Sequence, residues 1–373
     1  MTTYLDNATT TTLDPRVLEV MLEAFGPDVG DPDSRTHAFG RRARELVDRA
    51  RRQVAELVSA RRSEVIFTSG GTEAANLGVL GLGPRAAQEG RMHVVSALNE
   101  HSAVLEPLRV LEEQGFEVTR LSPGRGGWVE PEKLAGALRP DTFLVSLMHV
   151  NDVTGVINPL VDYAEVLQDH EAWFHTDAAQ GFGKDIKALR NPRIDLISVS
   201  GHKIHAPAGV GALIARRRDR TPPPLAPLTY GGGQELDIRP GALPVPLIAA
   251  LGKAAELAGQ DADERHERAR EFEELLIGAL APLQPVIHGD PERKLPHILC
   301  LSVPGLSSSE LVTVWEPWIA IAGSEDPERP WPPAYGLSAM GLTDVETRGA
   351  VRLSWSHLTE FPDVQNLVGA FTG

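Results

Sequence analysis

Two hydrophobic periods run along this chain. Between 38 and 59 the helically spaced apolar positions include Ala43, Leu46, Val47, Ala50, Val54 and Leu57. Steps of three and four put them on one face of a helix. Residues 16–25 carry helix formers in a similar pattern. Short apolar runs follow at 65–67, 92–95, 143–148, 173–176, 194–199 and 210–214. Each has the length of a buried strand, and helical stretches separate several of them, notably 72–80 and a segment near 102–114. Strands alternating with helices predict an α/β protein whose mostly parallel sheet is covered on both faces.

Prolines at 222–224 and glycines at 231–233 end that alternation. Residues 245–283 read as long helices, and strands are expected near 297–303 and 349–355. The expectation is a large α/β domain over 16–249 and a smaller α+β domain over 250–373. Residues 326–333 hold four prolines in eight positions, which predicts a stiff, non-helical loop.

Composition narrows the function classes. The 373 residues are 42% hydrophobic and 23% charged, enough apolar material for a sizeable core. A net charge of −15 argues against nucleic acid or an anionic membrane as partner, because phosphate binding needs Lys and Arg in excess on one face. The single cysteine, Cys300, excludes a disulfide framework within the chain and fits a reducing cytoplasm. The first residues lack the basic and apolar stretches of a secretory signal. No apolar run approaches the roughly 20 residues of a membrane span. A cytoplasmic protein is expected.

Ser200-Gly201-His202-Lys203 directly follows an expected buried strand. Such strand ends are where α/β proteins bind ligands. A desolvated lysine there can lose its proton and attack a carbonyl; a surface lysine is the plain alternative. Asp177 also ends an expected strand, 26 positions earlier. That leaves room for one crossover and one further strand, so both side chains can reach one crevice. Pyridoxal phosphate (PLP) needs this pair: a lysine for its aldehyde and a carboxylate to keep its ring nitrogen protonated. A helix N-cap before Ala178 is the other reading of Asp177.

Thr68-Ser69-Gly70-Gly71-Thr72-Glu73 follows the strand at 65–67 and opens a helix. Its small residues, Gly71 among them, let backbone N–H groups reach a phosphate, and Thr72 adds a hydroxyl. The spacing is neither the dinucleotide fingerprint nor a P-loop. His101 suits stacking on a flat ring and proton transfer near neutral pH, or a structural role. Asn151 suits a ring substituent, or a turn. Arg352, inside an apolar strand, wants an anion: a ligand carboxylate or an internal salt bridge.

The ordered set resembles the cysteine desulfurases, within the class V aminotransferase group of fold type I PLP enzymes. The segments that carry the resemblance are Tyr4-Leu5-Asp6-Asn7-Ala8-Thr9-Thr10, Thr68-Ser69-Gly70-Gly71-Thr72-Glu73, Asn99-Glu100-His101, His149-Val150-Asn151, Thr176-Asp177-Ala178-Ala179-Gln180, Ser200-Gly201-His202-Lys203 and Val351-Arg352-Leu353-Ser354. They keep the family's order and spacing across nearly the whole chain. The resemblance implies a Schiff base on Lys203, a contact from Asp177 to the pyridine nitrogen, and contacts from Gln180 and Asn151 to the ring oxygen. It implies that His101 stacks on the ring, that Thr72, Ser200 and His202 hold the phosphate, and that Arg352 holds the substrate carboxylate. It also implies a homodimer, a possible sulfur-acceptor or pathway protein as partner, and a small domain completed by residues 1–15.

The chain departs from that family at the residue that carries sulfur. Desulfurases place a cysteine nucleophile on a mobile loop. The matching stretch here is Ile321-Ala322-Gly323-Ser324-Glu325-Asp326, which puts Asp326 at the cysteine position. A carboxylate cannot form a persulfide. Cys300 lies in the apolar run at 297–303, where a cysteine behaves as a small hydrophobe. The family's threonine that reaches the partner's phosphate is Ala242 here, and His357 stands where another basic residue is usual. The leading expectation is therefore C–S lyase chemistry, a β-elimination from cysteine or a cysteine conjugate started by Lys203, with Asp326 as leaving-group acid or pocket wall. The alternatives are a desulfurase, another PLP reaction such as transamination, decarboxylation, racemisation or substitution, and a non-catalytic partner protein that docks through its surface and Trp315, Trp318 and Trp331.

Overall fold

In the computed structural model, which describes residues 2–323, 333–362, 367–369 and 371, one seven-stranded sheet organises most of the chain. Strand β1 (Thr3–Tyr4) and helices α1 (Pro15–Ala24) and α2 (Ala38–Leu57) precede it. Then come β2 (Val65–Thr68), α3 (Gly71–Leu80), α4 (Gly83–Glu89), β3 (His93–Ala97), α5 (Ser102–Glu113), β4 (Glu117–Leu121), α6 (Pro131–Ala137), β5 (Thr142–Ser146), α7 (Leu160–Val166), β6 (Trp173–Asp177), β7 (Leu196–Ser200) and β8 (Gly211–Ala215). Their order across the sheet is β2-β8-β7-β6-β5-β3-β4. Only β8 runs against its neighbours.

The apolar runs are continuous because both faces of the sheet are covered. Val95, Val145, Ile197 and Ile214 pack toward Val47 and Val54 of α2. Their chain neighbours Val94, Leu144, Leu196 and Leu213 point the other way, toward Leu77 of α3 and Leu108 of α5. This is the period-two alternation of a pleated strand, with apolar residues on each side.

The chain continues through α8 (Val245–Gln260), α9 (Ala262–Leu280), β9 (Val286–Ile287), β10 (Ile298–Ser302), α10 (Ser308–Trp315), β11 (Ile319–Ala320), β12 (Ala322–Gly323), α11 (Pro333–Ala339), α12 (Asp344–Gly349) and β13 (Ala350–Ser354). A second sheet has the order β12-β13-β10-β9. The N-terminal segment joins it: β1 pairs with β11, Leu5 is buried in the second core, and Asp6 bridges to Ser354. The segment then crosses to the main sheet, where Thr11 N–H donates to the His202 carbonyl at 2.9 Å.

The long helices expected over 245–283 are α8 and α9, which part at Asp261, whose carboxylate accepts from Arg16 and Arg265. The edge strand β4 has no apolar run to mark it, because most of its residues are only partly covered. The boundary expected at 249/250 falls inside α8, whose Ile248 and Leu251 belong to the core shared with α2.

Candidate active site

Five chain segments leave the same edge of the main sheet and enclose a cavity of about 370 Å³. They follow β2, β3, β5, β6 and β7, whose C-terminal ends all point to that edge. The segments after β3 and β5 flank the point where strand order reverses, the usual ligand crevice of an open α/β sheet. The cavity lies within the range of about 300–1,000 Å³ typical of small-molecule sites.

The turn after β2 supplies Ser69 to Thr72 and the first turn of α3, whose N–H groups lack intrahelical partners. Glu73 steadies it, accepting from Ser69 N–H at 2.6 Å and from Arg239 Nε at 2.9 Å. Gly71 packs closely on β7: a Cβ there would lie 3.0 Å from Cβ of Ser200, which would have to give way. After β3, His101 caps α5 by accepting from Ala103 N–H at 3.1 Å, and it lines the cavity. After β6, Asp177 accepts from Ala179 N–H at 2.9 Å, so the N-cap-like turn and the cavity-facing carboxylate occur together. Gln180 is fixed by donating to Ala8 O at 2.8 Å and accepting from Lys184 at 3.2 Å. After β7, Ser200, His202 and Lys203 complete the wall.

Lys203 Nζ donates to the carbonyls of Ala8 and of Thr9, the latter at 2.7 Å. Burial lowers its pKa to about 8, with Asp152 and Asp177 opposing and Arg352 reinforcing the shift. A neutral amine is therefore within easy reach near physiological pH. Burial raises Asp177. Burial likewise keeps His202 down to about 4, so its imidazole is neutral and serves as a hydrogen-bonding group. A second, smaller chamber of about 20 Å³ shares Lys203 and is lined by Lys184, His205, His297 and His357. It has room for one water. Burial lowers Lys184 to about 7 and His357 to about 4.

The expected residues Gly71, Thr72, His101, Asp177, Gln180, Ser200, His202 and Lys203 are brought together. Two are not placed as expected. Asn151 does not line the cavity. Its Oδ1 accepts from Val153 N–H, Thr154 N–H and the Thr154 hydroxyl, and its Nδ2 donates to Asn99 O. Its amide is committed to the turn after β5, which corrects its assignment to the cofactor and substrate. The next residue, Asp152, faces the cavity instead. Arg352 is bound internally: Nη2 donates to Asp6 Oδ1 at 2.7 Å and Thr9 Oγ1 at 2.6 Å, and Nη1 donates to Asp152 O at 2.9 Å. The expected Asp326, with its loop, lies outside the described residues. Sequence reasoning passed over Asp152 and Lys184; the signal for Asp152 was an acid directly beside a motif asparagine.

These residues fit PLP. Lys203 offers an amine of lowered pKa, Asp177 a cavity-facing carboxylate, and the Gly71–Ser200 contact closes a cup at a helix N-terminus suited to phosphate. Comparison with known proteins agrees. Residues 3–367 match the aminotransferase class-V family. Human cysteine desulfurase is 37% identical over 367 residues, covering 98% of this chain and 80% of that protein. The cysteine desulfurase IscS of Vibrio campbellii is 38% identical over 359 residues, covering 95% and 88%. Among solved structures, a NifS-like protein superposes with a TM-score of 0.90 at 30% identity over 100% of this chain and 98% of that one. DndA from Streptomyces lividans gives 0.83 at 42% identity over 95% and 99%. With a family match spanning almost its full length, the chain belongs to the aminotransferase class-V family and is a fold type I, PLP-dependent enzyme.

Proposed function

We propose that this enzyme cleaves the Cβ–S bond of cysteine or a cysteine conjugate without carrying sulfur on its own chain. The relatives named cysteine desulfurases support cysteine as the substrate class. The observation that carries the rest is Cys300. It is the single cysteine of the chain, it is 1% exposed inside β10, and burial pushes its thiol up to about 12. Sulfur capture needs an accessible thiolate, and Cys300 offers neither access nor charge.

When bound, PLP supplies an aldehyde for amine substrates and a ring that withdraws electrons from Cα. The chain's own residues then divide the work. The first turn of α3 with Thr72, Ser200 and His202 would hold the phosphate. Asp177 would hold the proton on the ring nitrogen. His101 would cover the ring, and Gln180 would meet its oxygen. Lys203 Nζ would take the Cα proton, its lowered pKa making it a base near pH 8. Arg352 would meet the substrate carboxylate from beside Asp152, whose carbonyl accepts from its Nη1. The overall reaction with cysteine takes up one water and gives pyruvate, hydrogen sulfide and ammonia. The proposal includes a large and a small domain, a homodimer and a pathway protein that receives the sulfide.

Incubation of PLP-loaded protein with cysteine, cystine and cysteine S-conjugates, with product analysis by mass spectrometry, tests this. Pyruvate with free sulfide or thiol is expected, and Lys203→Ala should give none. Absence of any keto acid, sulfide or thiol across that panel would end the proposal.

A further inference from the structure

We propose that Asp152 sets the charge selectivity of the cavity, turning it against amino acids whose side chain carries a second negative charge and toward neutral or cationic side chains. The inference rests on the reading of the cavity as an amino-acid site. It names a residue that the sequence motifs did not mark.

Position comes first. The turn that commits Asn151 to Val153 and Thr154 carries the next residue to the cavity wall, where Asp152 stands with His101, Asp177 and Lys203. Its side chain is 29% exposed, so it meets whatever enters.

Charge comes second. Burial by itself would raise Asp152, but His101, Arg352 and Lys203 outweigh it and hold the carboxyl below its ordinary range. It is an anion at working pH.

The third point is the capacity of Arg352. Its Nη2 serves Asp6 and Thr9, and its Nη1 serves the Asp152 carbonyl with Asp152 Oδ2 3.8 Å away. Among the described residues, Nε is buried without an acceptor, and one of the two Nη1 N–H groups is not taken by a hydrogen bond. A substrate's α-carboxylate would have to compete with the groups that already hold Arg352. A second carboxylate or a sulfinate on the same substrate meets the Asp152 carboxylate in the cavity wall, and Arg352 is largely engaged with Asp6, Thr9 and the Asp152 carbonyl. Like charges brought together in a partly desolvated site are strongly disfavoured. A thiol, thioether or disulfide meets no such repulsion, and an ammonium is attracted.

Asparagine and aspartate test this, because they share a shape and differ in charge. Their dissociation constants are measured by visible-spectrum titration of the PLP-loaded protein, and independently by the ligand-induced rise in thermal midpoint. Wild type should bind asparagine at least about tenfold more tightly than aspartate, one like-charge encounter being worth at least that much. Asp152→Asn should narrow the ratio to below about threefold by gaining affinity for aspartate, and Asp152→Glu, which keeps the charge, should preserve it. Equal binding of the two ligands by wild type overturns the inference without any variant. So does an unchanged ratio in Asp152→Asn. If wild type binds neither of these ligands nor cysteine, the amino-acid reading itself fails, which is a separable result.

Discussion

Lys203 and Arg352 meet on Thr9: Nζ of Lys203 donates to its carbonyl at 2.7 Å, and Nη2 of Arg352 donates to its hydroxyl at 2.6 Å. Thr9 lies on the segment that the Asp6–Ser354 bridge ties to the second sheet. One residue thus positions both cations of the site. Thr9→Val keeps the carbonyl and the shape and removes the hydroxyl. Losing one hydrogen bond to a charged group at this exposed position costs about 1 kcal/mol. Cysteine affinity should fall roughly fivefold while PLP loading is unchanged. Equilibrium titration with each ligand checks both halves.

The pH dependence of Lys203 follows from its burial. Its pKa of about 8 compares with about 10.4 for an ordinary lysine. The neutral amine is the reactive form, and lowering the pKa enlarges its share at any pH below the ordinary value. The rate at which the apoprotein captures PLP should therefore rise with pH and level off above about 8. Asp152 stabilises the protonated form, so Asp152→Asn should move that midpoint down. Stopped-flow absorbance across pH gives both midpoints.

Asp177 and Lys203 are separable by mutation. Asp177→Asn keeps the size of the side chain and removes the charge that would hold a ring proton. Cofactor should remain on the protein through gel filtration, while kcat drops on the order of a hundredfold or more, the scale of losing one stabilising group in a water-excluded site. Equal loss of cofactor and activity would assign Asp177 to binding alone.

Away from the cavity, Glu235 is a side chain whose removal should cost the fold heavily. Glu235, Leu236 and Asp237 all have positive φ, at 48°, 63° and 62°. The Glu235 carboxylate fastens that strained turn by accepting from Phe67 N–H of β2 at 2.7 Å and from both terminal nitrogens of Arg51. Its side chain is 2% exposed. Glu235→Ala leaves Arg51 largely buried without a carboxylate, holding only the Val65 carbonyl, a loss of about 3 kcal/mol. Urea unfolding should show it as a fall in midpoint with little change in slope.

The strands of the main sheet were legible in the sequence because they are covered on both faces and so read as unbroken apolar runs. β4 escaped because its residues are partly exposed and lack such a run. Among the site residues, those in motifs at strand ends, Lys203, Asp177 and Thr72, line one cavity. Asn151 and Asp152 show the limit. Adjacent residues point in different directions, and which one faces the cavity is decided by the hydrogen bonds Asn151 makes to Val153 and Thr154. Arg352 was expected at the substrate carboxylate; the anion it holds is Asp6, 346 positions away in the chain and beyond any local pattern.

The central claim is that sulfur leaves without a stop on the protein, and the products from cysteine decide it. PLP-loaded wild type and Cys300→Ala are given L-cysteine, and pyruvate, alanine, sulfide and protein persulfide are measured together. The account predicts pyruvate and sulfide in equal amounts, the same in both proteins, with no persulfide. Alanine formed in step with a persulfide on Cys300, and lost in Cys300→Ala, would contradict it.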